Sequence, residues 1–280
     1  MIDALLQPLT YAFMQRGLLA AILVGIICAV IGCYVVLRSM AFLGDALAHA
    51  ILPGVAIAYL IGGSLLLGAL VAAVMVALSI GFLSRRGDLK EDTAIGILFS
   101  AALALGVALI SSIRTYAVDL SHILFGDVLG VTTADLWLTA GLGVLVIGAV
   151  LLFYRPFMVM AFDPVLATTL RLRTGLLRNL LLILLALTIV ISMQTVGIGL
   201  VAAMLVTPAA TAYLLTRRLR TMMILSAAIG ALSGIVGLYT SYYLNIASGA
   251  AIVLSATLFF LLAFFLAPRR GLFWQLRNNQ

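Results

Sequence analysis

Charged side chains are scarce in this chain, and their scarcity excludes a soluble fold. Its 280 residues include 16 Lys or Arg and nine Asp or Glu, so only 9% are charged, whereas 65% are hydrophobic. A soluble domain of this size needs far more charged side chains to cover its surface. The mean hydropathy of +1.29 is equally incompatible with a disordered chain. Lipid must therefore be the solvent for most of the chain.

Cysteine and lysine are nearly missing as well. Cys28 and Cys33, the only cysteines, lie in one apolar stretch, which excludes a disulfide scaffold and differs from the spacing of zinc-binding thiolate pairs. Lys90 is the only lysine, and its context GDLKED excludes a phosphate loop of the type G-x-x-x-x-G-K-[ST]. No H-E-x-x-H or G-x-S-x-G motif occurs. The chain is therefore predicted to be no enzyme, and any ATP that drives it must be hydrolysed by another subunit.

Apolar runs that can cross a bilayer make up most of the sequence. A crossing helix needs about 20 apolar residues. Nine runs meet this requirement, at about 18–37, 41–62, 64–84, 93–113, 135–154, 179–198, 199–216, 221–243 and 249–268. The sequence thus predicts an all-α, polytopic transmembrane bundle of about nine helices, forming a single domain over residues 1–280. Because some junctions are tight, eight spans plus a re-entrant segment are the alternative.

The basic residues lie in short clusters between the apolar runs. The clusters are Arg85, Arg86 and Lys90; Arg155, Arg171, Arg173 and Arg178; Arg217, Arg218 and Arg220; and Arg269, Arg270 and Arg277. All four fall on one side of the predicted bundle, which the positive-inside rule assigns to the cytoplasm, with the N-terminus outside and the C-terminus cytoplasmic. Despite a net charge of +7, they form no continuous basic face for nucleic acid. Residues 1–17 lack a cleavable-signal pattern and are predicted to form an amphipathic entry segment.

One acidic residue lies deep inside an apolar run. In MAFLGDALAHAILPGVAIAYL, Asp45 and His49 are four residues apart and therefore share one face of a helix. The rise of 1.5 Å per residue places His49 about 13 Å from the cytoplasmic end of the span. An Asp near the bilayer centre costs about 2.5–3.5 kcal/mol, and a divalent cation offsets this cost because it binds a carboxylate and a neutral imidazole together. The pair is therefore predicted to contact a metal ion.

The alternative is that Asp45 and His49 bond each other or another helix and only hold the bundle together. Their small neighbours, Gly44 and several alanines, allow another helix to approach closely, so a second copy of this helix can bring a second pair to the same cation. Pro53 removes a backbone donor one turn later, which leaves a carbonyl as a further candidate ligand.

Polar residues outside the spans are weaker candidates. His122, in DLSHILFGDVLG, lies in an outer segment where a solvated or packing histidine is the simpler interpretation. Tyr243, Asn245 and Ser248, in SYYLNIASGA, line either a candidate outer gate or an interfacial turn.

The loop at about 155–178 is the longest segment on the predicted cytoplasmic side. Asp163 followed by Pro164 is a strong helix-start signal, and the helix is predicted to end near Leu172. Such a helix can bind the membrane surface or a cytoplasmic partner. Glu91 and Asp92 lie at the start of the fourth span, where they favour the helix N-terminus or contribute to docking.

Six segments together resemble the metal-type membrane permeases of ATP-binding-cassette importers, which carry manganese, zinc or iron into bacteria. They are VLRSMAFLGDALAHAILPGVA, KEDTAIGILFS, LFGDVLGVT, AFDPVLA, VGIGLVAAMLVTPAATA and SYYLNIASGAAIVL. Each one is common in apolar sequence, but their number and order extend the resemblance over nearly the whole chain.

The resemblance implies an assembly of two permease subunits, here a homodimer, with two cytoplasmic ATPases and an extracytoplasmic metal-binding protein in the bacterial inner membrane. It implies that Asp45 and His49 contact the metal and that the segment at Phe162, Asp163 and Pro164 is the coupling helix for the ATPase. Family members often carry an acid where this chain has Asn245.

Manganese is the expected substrate, and no permanently bound cofactor is expected. One carboxylate and one imidazole suit Mn(II), Fe(II) and Zn(II) alike. The run GDALAHAILPGVA is more similar to the manganese and iron members than to the zinc members. Zn(II) and Fe(II) remain alternatives, as do a proton-coupled metal carrier, a scaffold subunit and an importer of chelated metal.

Overall fold

The structure, a computed structural model, describes residues 7–86, 91–112 and 128–267. Within these ranges all regular structure is helical. The α-helices are α1 (Ala12–Leu37), α2 (Ala41–Ala50), α3 (Leu52–Leu60), α4 (Leu65–Arg86), α5 (Glu91–Ser111), α6 (Thr133–Leu152), α7 (Tyr154–Phe162), α8 (Pro164–Thr169), α9 (Thr174–Val196), α10 (Ile198–Leu215), α11 (Leu219–Leu244) and α12 (Ser248–Leu266). Two 3₁₀ turns, Pro8–Thr10 and Val128–Gly130, precede α1 and α6.

Eight helical segments of the described chain are long and apolar enough to cross a membrane. They are α1, the consecutive pair α2 and α3, α4, α5, α6, α9, α11 and α12. The region predicted as the span 199–216 is the shorter apolar helix α10. The predicted all-α transmembrane bundle is thus confirmed, and of the two predicted span counts the structure matches eight spans with one additional shorter helix.

Two helices begin at least five residues earlier than predicted. α1 begins at Ala12 rather than at residue 18, and α9 begins at Thr174 rather than at residue 179. Each helix carries an arginine in its second turn, Arg16 or Arg178, which a search for apolar runs leaves out although a helix readily accommodates it.

One end of the bundle collects most of the described arginines. A cavity of about 380 Å³ at this end is lined by Leu37, Phe162, Tyr213 and Leu219, so the ends of α1, α7 and α10 meet the start of α11 there. We call this the basic end, because it carries Arg38, Arg155, Arg171, Arg173, Arg178, Arg217, Arg218 and Arg220. Its assignment to the cytoplasm stays a prediction of the positive-inside rule. Lys90, Asp119, His122, Asp127 and the arginines after residue 267 lie outside the described residues.

The buried helix α1 packs against α6, α9, α10 and α11. Small residues bring α1 and α11 into backbone contact: a Cβ on Gly25 would lie 2.7 Å from the carbonyl oxygen of Gly230. One turn away, the Ser226 hydroxyl donates to the carbonyl of Ala29 at 3.0 Å. Close packing of this kind is how membrane helices associate, because lipid supplies no hydrophobic driving force between them.

α9 and α10 meet at a corner inside the bundle. Gly197 is the single residue between them, with φ 81° and ψ 162°. Ser192 Oγ lies 3.4 Å from Cys28 Sγ, and Cys28 is sixteen residues, or about 24 Å, along α1 from Ala12. α9 ends four residues after Ser192, which is only about 6 Å further. The corner therefore lies well short of the end of α1 at Ala12.

Candidate metal site

α2 follows α1 through a tight turn. The amides of Ser39 and Met40 donate to the carbonyls of Val36 and Val35 at 3.1 and 3.0 Å. These two bonds form a Schellman motif, in which Ser39 takes the left-handed conformation with φ 56°. The direction of α2 is therefore fixed relative to the end of α1.

α2 ends at a proline-dependent break. Pro53 has no amide hydrogen, so the carbonyl of His49 lacks its usual donor four residues later and instead accepts the amide of Ile51. The helix resumes as α3 at Leu52. Asp45 and His49 consequently lie on a short helical segment between a fixed turn and a break.

The predicted pair lies on one face of α2, as its spacing requires. His49 Nε2 and Asp45 Oδ1 are 3.6 Å apart. Two ligands at about 2.1 Å from one cation lie about 3.0 Å apart at an octahedral angle and about 3.4 Å apart at a tetrahedral angle. The observed separation is close to these values, so a small rotamer adjustment lets both groups contact one divalent ion.

The polar face of α2 opens away from the packed interior. The side chains of Asp45 and His49 are 45% and 29% exposed, and the neighbouring Phe42 is 51% exposed. The ring of Phe99 on α5 borders this face. Its centroid lies 5.7 Å from that of the Phe42 ring and 6.2 Å from that of the His49 ring. The opposite face is buried, where a Cβ on Gly44 would lie 2.9 Å from a methyl carbon of Leu205.

The pair supplies two candidate ligands for a metal ion. Among the described residues, no group of three or more His, Cys, Asp or Glu side chains could hold an ion. A carboxylate exposed at this depth in a membrane span is costly against lipid. A polar group or an ion at this exposed face would therefore stabilise the pair.

The two cysteines lie in the packed core. Cys28 lies against Ser192, and the Cys33 thiol donates to the carbonyl of Ala29 at 3.3 Å. Both are fully buried and unpaired with each other. Neither lies in a cluster of metal-ligand side chains in the described part of the chain.

The predicted short helix after Asp163 is present at the basic end. Asp163 Oδ1 accepts a hydrogen bond from the amide of Leu166 at 2.9 Å, and Pro164 occupies the first helical position. The helix, α8, ends at Thr169 rather than near Leu172. The amide of Leu172 instead closes a Schellman turn by donating to the carbonyl of Ala167 at 3.0 Å.

An exposed apolar surface covers this short helix. Phe162, Val165 and Leu170 are 58%, 74% and 56% exposed. The preceding helix α7 is anchored beneath it, because buried Phe157 packs edge-on against Tyr34 of α1 with ring centroids 5.6 Å apart. An anchored helix followed by an exposed apolar turn is suited to receive a partner at the basic end.

The candidate outer gate lies in the turn between α11 and α12. Tyr243 is 48% exposed, Asn245 ends α11 in the left-handed conformation with φ 52°, and Ser248 opens α12. Asn tolerates this conformation better than most residues, which gives Asn245 a structural role in the turn. A ligand role for these residues stays a prediction.

One charged cluster is not evident from the sequence. The position of Glu91 predicts an acid at a helix N-terminus or a docking residue, but its carboxylate is shared by two arginines. Arg38 Nη2 lies 3.1 Å from Oε1 and 3.2 Å from Oε2, and Arg178 Nη1 lies 3.0 Å from Oε1. The partners are 53 and 87 residues away, so no local pattern could have indicated them.

An acid and a histidine exposed on one face of a membrane-spanning helix are typical of an ion pathway, and the fold is accordingly that of a polytopic transport protein. The family model described as the ABC 3 transport family matches residues 10–267. The chain belongs to this family, and it is a multi-pass protein of the bacterial plasma membrane.

Similar proteins cover almost the whole chain. The "Manganese transport system membrane protein MntC" of Halalkalibacterium halodurans is 53% identical, over 95% of this chain and 91% of that protein. A "Probable iron transport system membrane protein" of Haemophilus influenzae is 41% identical, over 94% of this chain and 97% of that protein. The solved structure of PsaBC from Streptococcus pneumoniae in complex with Fab superimposes with a TM-score of 0.87 at 40% identity, covering 99% of this chain and 100% of that chain.

Proposed function

We propose that this chain is the membrane-spanning subunit of an ATP-driven importer that carries Mn(II) into the cell. The observation that carries the proposal is the exposed Asp45–His49 pair inside a membrane span, with its two ligand atoms 3.6 Å apart. The pair supplies one carboxylate and one imidazole, both of which Mn(II) accepts. Two weak ligands per chain suit a site that must release its ion after each passage.

Manganese is favoured by the graded similarity of the relatives. Identity is 53% to a protein named for manganese transport and 41% to one named for iron transport. The donor set does not separate the metals, because Zn(II) and Fe(II) also bind carboxylate and imidazole. Zn(II) or Fe(II) is therefore the second candidate for the same pathway.

A second copy of the chain is proposed to complete the site. The polar face of α2 is exposed, and the described residues hold no third ligand side chain. Two facing copies would supply two carboxylates and two imidazoles to one ion. The small residues beside the pair allow the helices to approach closely, and the carbonyl of His49 is a further candidate ligand.

The two ends of the bundle are proposed to contact the other subunits of the importer. The chain over residues 1–280 forms one permease domain, and its segment at Phe162, Asp163 and Pro164 receives the ATPase. The exposed apolar side chains of this segment support such a contact. An extracytoplasmic binding protein delivers the ion at the opposite end, near the candidate gate of Tyr243, Asn245 and Ser248.

Reconstitution tests the proposal directly. The permease, its ATPase and its binding protein are placed in proteoliposomes, and uptake of Mn(II) is measured with and without ATP. We expect ATP-dependent Mn(II) uptake that Zn(II) and Fe(II) inhibit only at higher concentrations. Stronger uptake of Zn(II) or Fe(II) would reassign the metal. Metal movement by the permease alone under an imposed pH gradient would support a proton-coupled carrier instead.

A further inference from the structure

Glu91 joins helices from four parts of the chain at the basic end. Its carboxylate contacts Arg38 at the end of α1 and Arg178 in α9, at 3.1 and 3.0 Å. Arg178 also donates to the carbonyl of Gly81 at 2.7 Å and to Ser84 Oγ at 3.2 Å, both on α4. Glu91 is the first residue of α5. Its carboxylate therefore links α5 directly to α1 and α9, and it is linked to α4 through Arg178.

The three charged side chains are largely removed from solvent. Arg38, Arg178 and Glu91 are 15%, 16% and 25% exposed. Burial and the nearby Arg178 both lower the pKa of Arg38, and Glu91 opposes this shift. Without the carboxylate, two guanidinium groups would face each other in a poorly solvated site, so the cluster depends on Glu91.

Each arginine is connected through a Schellman turn to a helix with a proposed role: Arg38 to α2, and Arg178 to α8. Arg38 immediately precedes the Schellman turn at Ser39 that leads into α2 with the metal pair. On the other side, α8 ends in a second Schellman turn, in which left-handed Arg171 has φ 55° and its amide donates to the carbonyl of Thr168 at 2.9 Å. This turn leads directly into α9, which carries Arg178 in its second turn.

The ion cluster also borders the coupling segment. A cavity of about 230 Å³ is lined by Arg38 and Arg178 on one side and by Pro164 and Thr168 of α8 on the other. A displacement of α8 therefore changes the surroundings of both guanidinium groups as well as the position of α9.

We propose that Glu91 is a positioning residue for transport, which transmits movement of the coupling segment to the metal-bearing helix through its shared ion pair with Arg178 and Arg38. The chain of contacts runs from α8 through its Schellman turn to α9, across Glu91 to the end of α1, and through the second Schellman turn to α2. This inference rests on the proposed function, since it needs an ATPase to move α8.

The test compares two neighbouring acids in the reconstituted complex of permease, ATPase and binding protein. Glu91→Gln removes the shared carboxylate charge, whereas Asp92→Asn removes the same charge from the next, exposed position of the same helix start. We expect Glu91→Gln to lower the Mn(II) transported per ATP hydrolysed by about tenfold while ATP hydrolysis persists. Asp92→Asn should keep the wild-type ratio.

Three results would overturn the inference. An unchanged ratio in Glu91→Gln, or an equal fall in Asp92→Asn, would remove the special role of the shared carboxylate. A parallel fall of ATP hydrolysis, uptake and complex yield would show that Glu91 serves folding only. If the wild-type complex itself shows no ATP-dependent uptake, the proposed function fails, which is a different outcome.

A second set of variants retains the positive charges. Arg38→Lys and Arg178→Lys keep one charge each but cannot reproduce the contacts of a guanidinium group. If both act through Glu91, the double variant loses about as much Mn(II) per ATP as the more severe single variant. If the two losses multiply instead, the arginines act independently and the shared-carboxylate model is wrong.

Discussion

His49 Nε2 and Asp45 Oδ1 lie 3.6 Å apart, within ion-pair distance but beyond the range of a well-formed hydrogen bond. The two groups therefore do not satisfy each other, although they share one helix face. Their exposed sides point away from the packed interior, where an ion or a second subunit can reach both.

Neutral isosteres should separate a metal role from a packing role for this pair. Asp45→Asn and His49→Gln retain most of the side-chain volume but remove the charge or the imidazole. We expect ATP-dependent Mn(II) uptake to fall to background while membrane insertion and ATPase binding stay at wild-type levels. Asp92→Asn is the matched loss of one acid at the start of α5. Wild-type uptake in the double variant would sink the assignment.

The cap at Asp163 should control coupling through the stability of α8. Asp163→Ala removes the acceptor for the amide of Leu166, and loss of such a cap costs about 0.5–2 kcal/mol. For a helix of six residues, we expect this to weaken ATPase binding and lower uptake. Asp163→Asn keeps an N-cap acceptor and should retain most of both. Equal losses in the two variants would point to the charge rather than the cap.

The turn before α2 should tolerate glycine better than serine. Ser39 has φ 56°, a conformation that costs a residue with a Cβ about 1–2 kcal/mol and costs glycine little. Ser39→Gly is therefore expected to raise the thermal unfolding temperature of the detergent-purified protein. Ser39→Ala keeps the Cβ and should not raise it. A lower unfolding temperature for the glycine variant would contradict the assigned backbone conformation.

The contact between α1 and α11 should not tolerate one extra methyl group. At Gly25 a Cβ meets the Gly230 carbonyl at 2.7 Å, and overpacking of this kind costs about 1–3 kcal/mol. Gly25→Ala should therefore lower the thermal unfolding temperature. Gly148→Ala is the control, because no heavy atom lies within 4 Å of its added Cβ. Similar unfolding temperatures for the two variants would mean that the helices are less closely packed.

Local chemistry made part of this molecule predictable. The spacing of Asp45 and His49 fixes their shared face because helical side chains repeat every 3.6 residues. Asp163 and Pro164 start a helix through bonds made within three residues. The apolar runs identified the helices because lipid requires them.

Other features depend on packing between distant segments. α10 is as apolar as its neighbours, but it begins only where the chain turns at Gly197, inside the bundle. The partners of Glu91 come from two other helices, so their contact depends on how α1, α5 and α9 assemble. An acid at position 91 is also explained by its favourable interaction with the N-terminus of a helix. The sequence therefore offers no reason to expect the two arginines.

The break after Ala50 divides one membrane span into two helical segments, α2 and α3. Asp45 and His49 precede it on α2, which packs against α5 and α10, whereas α3 packs mainly against α4 and α5. A change in the angle at Ile51 moves α3 without changing the separation of the carboxylate and imidazole on α2. The far half of this span can therefore change its position while the geometry of the pair is kept.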